Sequence, residues 1–185
     1  MKADASVVVV IPLSKGKTFL LLLGAVAFVL ASIWLWSIAD VQTRYNPLYA
    51  KAVAAAGAFF FGLCAIYGGF KIFDNRPGLI IDESGIVDNS SAVAAGRIPW
   101  DDVVALNVSE IAGQRFVTVV VVEPQKYASR GSAFGRMLNA ANMKMSGSPI
   151  NISSNSLQMN FDALVQVLTD GFEAHKQRVE LPSST

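Results

Sequence analysis

Hydrophobic positions along this chain change their period twice. Residues 19–39, FLLLLGAVAFVLASIWLWSIA, are an apolar run without one ionisable side chain. Residues 52–73, AVAAAGAFFFGLCAIYGGFKIF, form a second run interrupted only by Lys71 near its end. At about 1.5 Å per residue the first run reaches roughly 31 Å, close to the hydrocarbon thickness of a bilayer. The second spans equally well, and the stem of Lys71 can carry its ammonium to the headgroups. The pattern predicts two transmembrane helices, 19–39 and 52–73, preceded by an N-terminal segment (1–18) and joined by a loop (40–51). The short connection makes them antiparallel neighbours.

From residue 77 the pattern turns to short β-type runs. GLIID and GIVD flank Glu83-Ser84 and read as a hairpin. Ile98-Pro99-Trp100 opens another run, Asp101-Asp102 turns the chain into 103–111, and Gly113-Gln114 turns it again into the β-branched strand 116–122. Strands at this spacing predict an antiparallel sheet curled into a sandwich or small barrel. Then Tyr127, Gly131, Phe134, Leu138, Ala141 and Met145 recur at helical spacing. Residues 149–153 return to strand. Asn160 can cap a last helix whose apolar face is Phe161, Leu164, Val165, Leu168 and Phe172. The tail 181–185 is expected to be disordered. The Val/Ile run at 7–11, ended by Pro12, reads either as a strand added to the later sheet or as a disordered leader.

Within the apolar runs, Trp34 and Trp36 near the end of the first, and Tyr45 and Tyr49 just beyond, suit one headgroup layer. Ala54, Ala58 and Gly62 recur every four residues, a small-residue face for close helix packing, with Ala27 and Ala31 as its expected counterpart. Ser37-Ile38-Ala39 has the small residues of a signal-peptidase site, but the run is long and a second span follows, so an uncleaved anchor is expected. Lys2, Lys15, Lys17, Lys71 and Arg76 fall on the side of the termini, against Arg44 and Lys51 at the loop. The positive-inside bias therefore puts both termini in the cytoplasm. The N-x-S patterns at Asn89, Asn107 and Asn151 are then chance matches.

Charge divides between the parts. Residues 1–76 hold seven Lys/Arg and three Asp/Glu; residues 77–185 hold eight and eleven. An acidic domain without a basic run argues against a nucleic-acid module. Lys126, Arg130, Arg136 and Lys144 nevertheless gather in 124–146 with no acid among them. They are the candidate contacts to an anionic membrane surface or a partner, or else the solvated face of a covering helix. The sole cysteine, Cys64, permits no intrachain disulfide and reads as a buried, inert thiol.

Segments NPLYAK (46–51), FFGLCAIYGG (60–69), IFDNRPGLIIDESGIVDNSS (72–91), IPWDD (98–102) and NMKMSGSPINISSNSL (142–157) look like one family of uncharacterised bacterial inner-membrane proteins. The order of strands and closing helix resembles the pleckstrin-homology-like (PH-like) domains that follow a pair of membrane helices. The resemblance implies an α+β membrane protein: a transmembrane hairpin plus a cytoplasmic PH-like domain over 77–180. It implies an address and no reaction. Phosphoinositide-binding PH domains carry Lys/Arg between their first two strands. If those strands are 79–81 and 86–88, the loop here is the acidic Asp82-Glu83-Ser84-Gly85, which argues against a phosphorylated headgroup.

Catalytic chemistry is sparse. His175 is the only histidine, and no phosphate loop or nucleophile elbow occurs. Asp101-Asp102 is the nearest approach to a carboxylate pair, and adjacent residues of this kind usually cap or solvate a turn. Asp82, Glu83 and Asp88 lack the spacing of a calcium loop. Trp100 reads as a packing residue. No catalytic, cofactor-binding or metal residue is assigned and no cofactor is expected. The expected function is a non-enzymatic, membrane-tethered interaction module with an unidentified protein partner, with a homo-oligomer left open. The alternatives are a membrane enzyme subunit with a site near Asp101/Asp102 and an immunity-type protein acting through its spans.

Overall fold

The computed structural model describes residues 8–91, 93–111 and 113–180. Lys2, Val7, the tail 181–185 and the Phe134 side chain, all used in the sequence reading, lie outside what is described. The chain forms two compact units, Ser14–Asn75 and a second assembled from Met1–Leu13 and Arg76–Thr185.

The first unit is a helical pair, α1 (Lys15–Ile38) and α2 (Pro47–Ile72). Ser14 caps α1 by accepting from the Lys17 N–H, and Asn46 caps α2 by accepting from the Leu48 N–H at 2.8 Å. Pro47 opens α2, where its missing N–H costs no helical bond. Between the helices the Gln42 side chain organises the turn. Its Oε1 accepts from the Arg44 and Tyr45 N–H groups, and its amide donates to the Ala39 and Tyr45 carbonyls. Both helices are long and apolar enough to cross a membrane, and only 11% and 6% of their most apolar stretches are buried.

Their contact face differs in detail from the expected one. Ala54 is buried and Ala58 half-buried, but a Cβ on Gly62 would meet open space. Among the glycines of α2 the tightest place is Gly57, where a Cβ would stand 2.7 Å from Ser32 Oγ. On α1 the facing positions are Ala25 and Ser32; Ala27 and Ala31 are exposed. Phe28 stacks on Phe61 with centroids 4.4 Å apart. Cys64, expected to be buried, is exposed on the outside of the pair.

The second unit holds two antiparallel sheets. The first, in chain order, is β1 (Val9–Ile11), β2 (Leu79–Asp82), β3 (Gly85–Asp88) and β4 (Gly96–Pro99). The 7–11 run is thus a strand from Val9, paired Val10 to Ile80. A single 3-10 turn, Trp100–Asp102, leads to the second sheet, β5 (Val103–Ile111), β6 (Gln114–Val121) and β7 (Ile150–Ile152). Among the described residues no ladder joins the sheets, so they do not close a barrel. Between β6 and β7 lie α3 (Pro124–Ala128) and α4 (Ala133–Ser146); the expected single helix is broken at Gly131, whose φ of +82° suits glycine.

Helix α5 (Phe161–Glu180) closes the unit. Asn160 Oδ1 accepts from the Ala163 N–H at 2.8 Å, the cap that the sequence calls for. Strand alternation turns Ile81, Ile86 and Ile98 of the first sheet, and Val117, Val119 and Ile152 of the second, into one core. Leu164, Leu168 and Phe172 on the inner stripe of α5 complete it. Gly171 lets α5 approach closely: a Cβ there would stand 2.9 Å from Trp100 Cζ2 and from Ile81 Cγ2.

Candidate functional site

The polar features of the second unit gather round the turn that links its sheets. Trp100 is 1% exposed, and its indole N–H donates to the Asp82 carbonyl at 2.9 Å. With the ring buried beside Phe172, the following residues diverge. Asp101 reaches His175 on α5, with Oδ1 3.2 Å from Nε2. Asp102 turns to α3, where Oδ2 accepts from Lys126 Nζ at 2.7 Å and from the Tyr127 hydroxyl at 2.5 Å.

Pro124 starts α3 immediately after β6, which brings Lys126 and Tyr127 back over the turn. Arg130 lies with its guanidinium carbon 4.1 Å from the Tyr127 ring centroid and donates to the carbonyls of Ala95 and Arg97. The electrostatics follow from this geometry. The hydrogen bonds from Lys126 and Tyr127 hold the Asp102 carboxyl below its ordinary value. Burial and the bond to that carboxylate push the Tyr127 phenol up to about 12. An ionised acceptor facing a firmly protonated donor is a fixed contact. It acts as a clamp that fastens α3 to the junction between the sheets.

The other acidic residues disperse. Asp82 pairs with Arg97 and accepts from Ser84; these contacts outweigh its partial burial and hold its carboxyl below the usual range. Glu83 faces Arg178 at 3.6 Å. Asp88, 5% exposed, accepts from the Ser90 N–H and hydroxyl and from the Ala95 N–H, closing its own loop. Among the described residues no three His, Cys, Asp or Glu side chains are grouped to hold a metal ion.

The four cations expected to act together separate into two pairs. Lys126 and Arg130 are occupied by the clamp, whereas Arg136 and Lys144 lie exposed on α4. A polar ladder seats the far end of that helix on the outer face of the second sheet. Thr118 Oγ1 donates to Asn151 Oδ1 at 2.7 Å and lies 2.9 Å from Ser109 Oγ, and Asn151 Nδ2 donates to Ser146 Oγ at 2.9 Å. In the first unit, Trp34, Trp36, Tyr45 and Tyr49 are all more than half exposed, and Lys51 bonds Asp40 at 2.7 Å beside them.

Sequence reasoning missed the clamp. Its members lie 25 residues apart or nearly so, and the only signal was an acid after a buried tryptophan followed by a basic, tyrosine-bearing turn. A scan against protein-family models and searches of curated proteins and of solved structures returned no match to this chain.

Proposed function

We propose that α1 and α2 form a transmembrane hairpin holding a PH-like interaction domain at the cytoplasmic face of a bacterial inner membrane. The observation that carries this reading is the surface of the helical pair. Leu20, Leu21, Leu30, Phe59, Phe60 and Phe70 all lie outward and exposed. Such a continuous apolar surface is far larger than soluble proteins leave in water. Lys15, Lys17, Lys71 and Arg76 at the open end of the pair supply the basic flank of a cytoplasmic side.

Two antiparallel sheets in chain order, closed by a C-terminal helix, support the PH-like part of the reading. On that reading the first two strands are β1 and β2, and the segment between them is the helical hairpin itself. The acidic turn at 82–85 then joins the second and third strands. The place where phosphoinositide-binding relatives carry Lys/Arg is given over to the membrane anchor, so headgroup capture at that loop has no place here.

The domain works by presenting surface. Confinement to a thin layer raises its effective concentration toward other membrane proteins. Edge strand β5, with Val104 and Val108 more than half exposed, is the surface on which a partner's strand would add. Alkaline extraction and flotation of the full-length chain, with a reporter enzyme fused after Thr185, test the reading. Retention in the membrane with a reporter active only inside is the expected result. A chain released by alkali, or a reporter active only outside, overturns it.

A further inference from the structure

Helix α4 leaves part of its apolar content in solvent. Its inward side carries Asn139, 6% exposed with Oδ1 lacking a partner, the half-buried Leu138 and Met143, and Asn142 and Ser146, which bond the Pro149 and Ser148 carbonyls. Its outward side carries Met137 and Met145, 59% and 61% exposed, together with the exposed Ala133, Ala140 and Ala141. Arg136 and Lys144 are exposed as well, each next in sequence to one of the methionines. A covering helix normally turns its long apolar side chains inward.

The charge around this stripe is equally uneven. The domain is acidic overall, yet four of its eight Lys/Arg lie within 126–144 and no Asp or Glu lies there. Outside that segment Arg97 pairs with Asp82, Arg115 with Asp162 and Arg178 with Glu83, and within it Lys126 pairs with Asp102. Among the described residues Arg136 and Lys144 have no carboxylate at ion-pair distance; Arg136 spends one N–H on the Gly131 carbonyl. Exposed methionines flanked by free cations, on a helix without acids, match the interface of an anionic bilayer. Unbranched methionine enters the acyl boundary while the cations stay at the phosphates.

We infer that the exposed side of α4, with Met137 and Lys144 near its centre and Arg136 and Met145 at its edges, docks on the anionic lipid surface of the membrane that holds the protein. The inference rests on the anchoring reading and adds a second attachment, formed by the domain itself.

Methionine oxidation tests it on the full-length chain. The protein is reconstituted into vesicles of phosphatidylcholine alone or of phosphatidylcholine with phosphatidylglycerol, exposed to dilute peroxide, and each methionine is followed by mass spectrometry. Met137 and Met145 should oxidise several-fold more slowly in the anionic vesicles only, and high salt should abolish the protection. Arg136→Ala with Lys144→Ala should abolish it too, because each cation near such a surface contributes about a five-fold factor. Both side chains are exposed, so the variant should fold; an unchanged circular-dichroism spectrum and melting midpoint check this. Equal oxidation in both vesicles overturns the inference. Protection that instead grows with protein concentration in neutral vesicles assigns the stripe to a second copy and overturns it as well. Flotation of the same vesicles separates the two readings. A chain that floats while both methionines oxidise freely refutes α4 docking alone, and one that does not float refutes anchoring and docking together.

Discussion

Ile11 and Leu79 stand opposite each other in neighbouring antiparallel strands, although both apolar helices lie between them in the chain. Each is almost wholly buried, at 1% and 0% exposure. Gln158 secures the junction by donating its backbone N–H to the Pro12 carbonyl and its side-chain amide to the Leu13 carbonyl. The domain is therefore discontinuous in sequence, and its first strand pairs with the rest across the helical insertion. Ile11→Ala should destabilise it by about 2–5 kcal/mol, the usual range for truncating a buried isoleucine. Chemical denaturation in mild detergent measures the loss. Tags at the two termini should also share one protease-protection pattern in sealed vesicles.

At Gly171 helix propensity and packing oppose each other. Alanine normally favours a helix interior by about 1 kcal/mol over glycine. Here its Cβ would press on Trp100 and on Ile81, both buried. Overpacking of this kind costs about 1–3 kcal/mol, so Gly171→Ala should lower the melting temperature of the domain. A rise in melting temperature would show that α5 can shift away without loss.

The Asp102–Tyr127 clamp gives stability a two-sided pH dependence. Asp102 is depressed when folded, so its contribution is complete above the ordinary carboxylate value and is lost as pH falls through the lower folded value. Tyr127 is raised to about 12, so its contribution is complete below its ordinary value near 10 and is lost as pH rises toward 12. Tyr127→Phe should remove the tyrosine part of the alkaline loss and cost about 1–3 kcal/mol at neutral pH by leaving Asp102 short of a donor. Asp102→Asn should flatten the acid limb. Melting midpoints across pH, compared among the three proteins, read both effects.

In the helical pair the sensitive position is Gly57. A valine there would drive its branched Cβ into Ser32, whose hydroxyl already donates to the Phe28 carbonyl at 2.8 Å. Gly62→Val meets open space on its Cβ side. Crosslinking between cysteines placed on the facing sides of α1 and α2, in a Cys64→Ser background, should fall for the Gly57 variant and hold for the Gly62 variant.

Local pattern determined most of the elements of this protein. Apolar runs of membrane length, β-branched stretches ended by proline or glycine, and a capped amphipathic stripe from Asn160 each carry their signal within a few residues. Backbone hydrogen-bonding and side-chain periodicity act at that range, so the two long helices, the strands and α5 are legible in the chain. Tertiary structure decided what depends on distant partners. That β1 joins β2 across the helical pair, that Gly57 and not Gly62 makes the close approach, and that Lys126 and Arg130 serve a clamp while Arg136 and Lys144 stay exposed are all set by packing. A side chain's partners are fixed by which surfaces meet, and the spacing of residues along one segment holds no record of that.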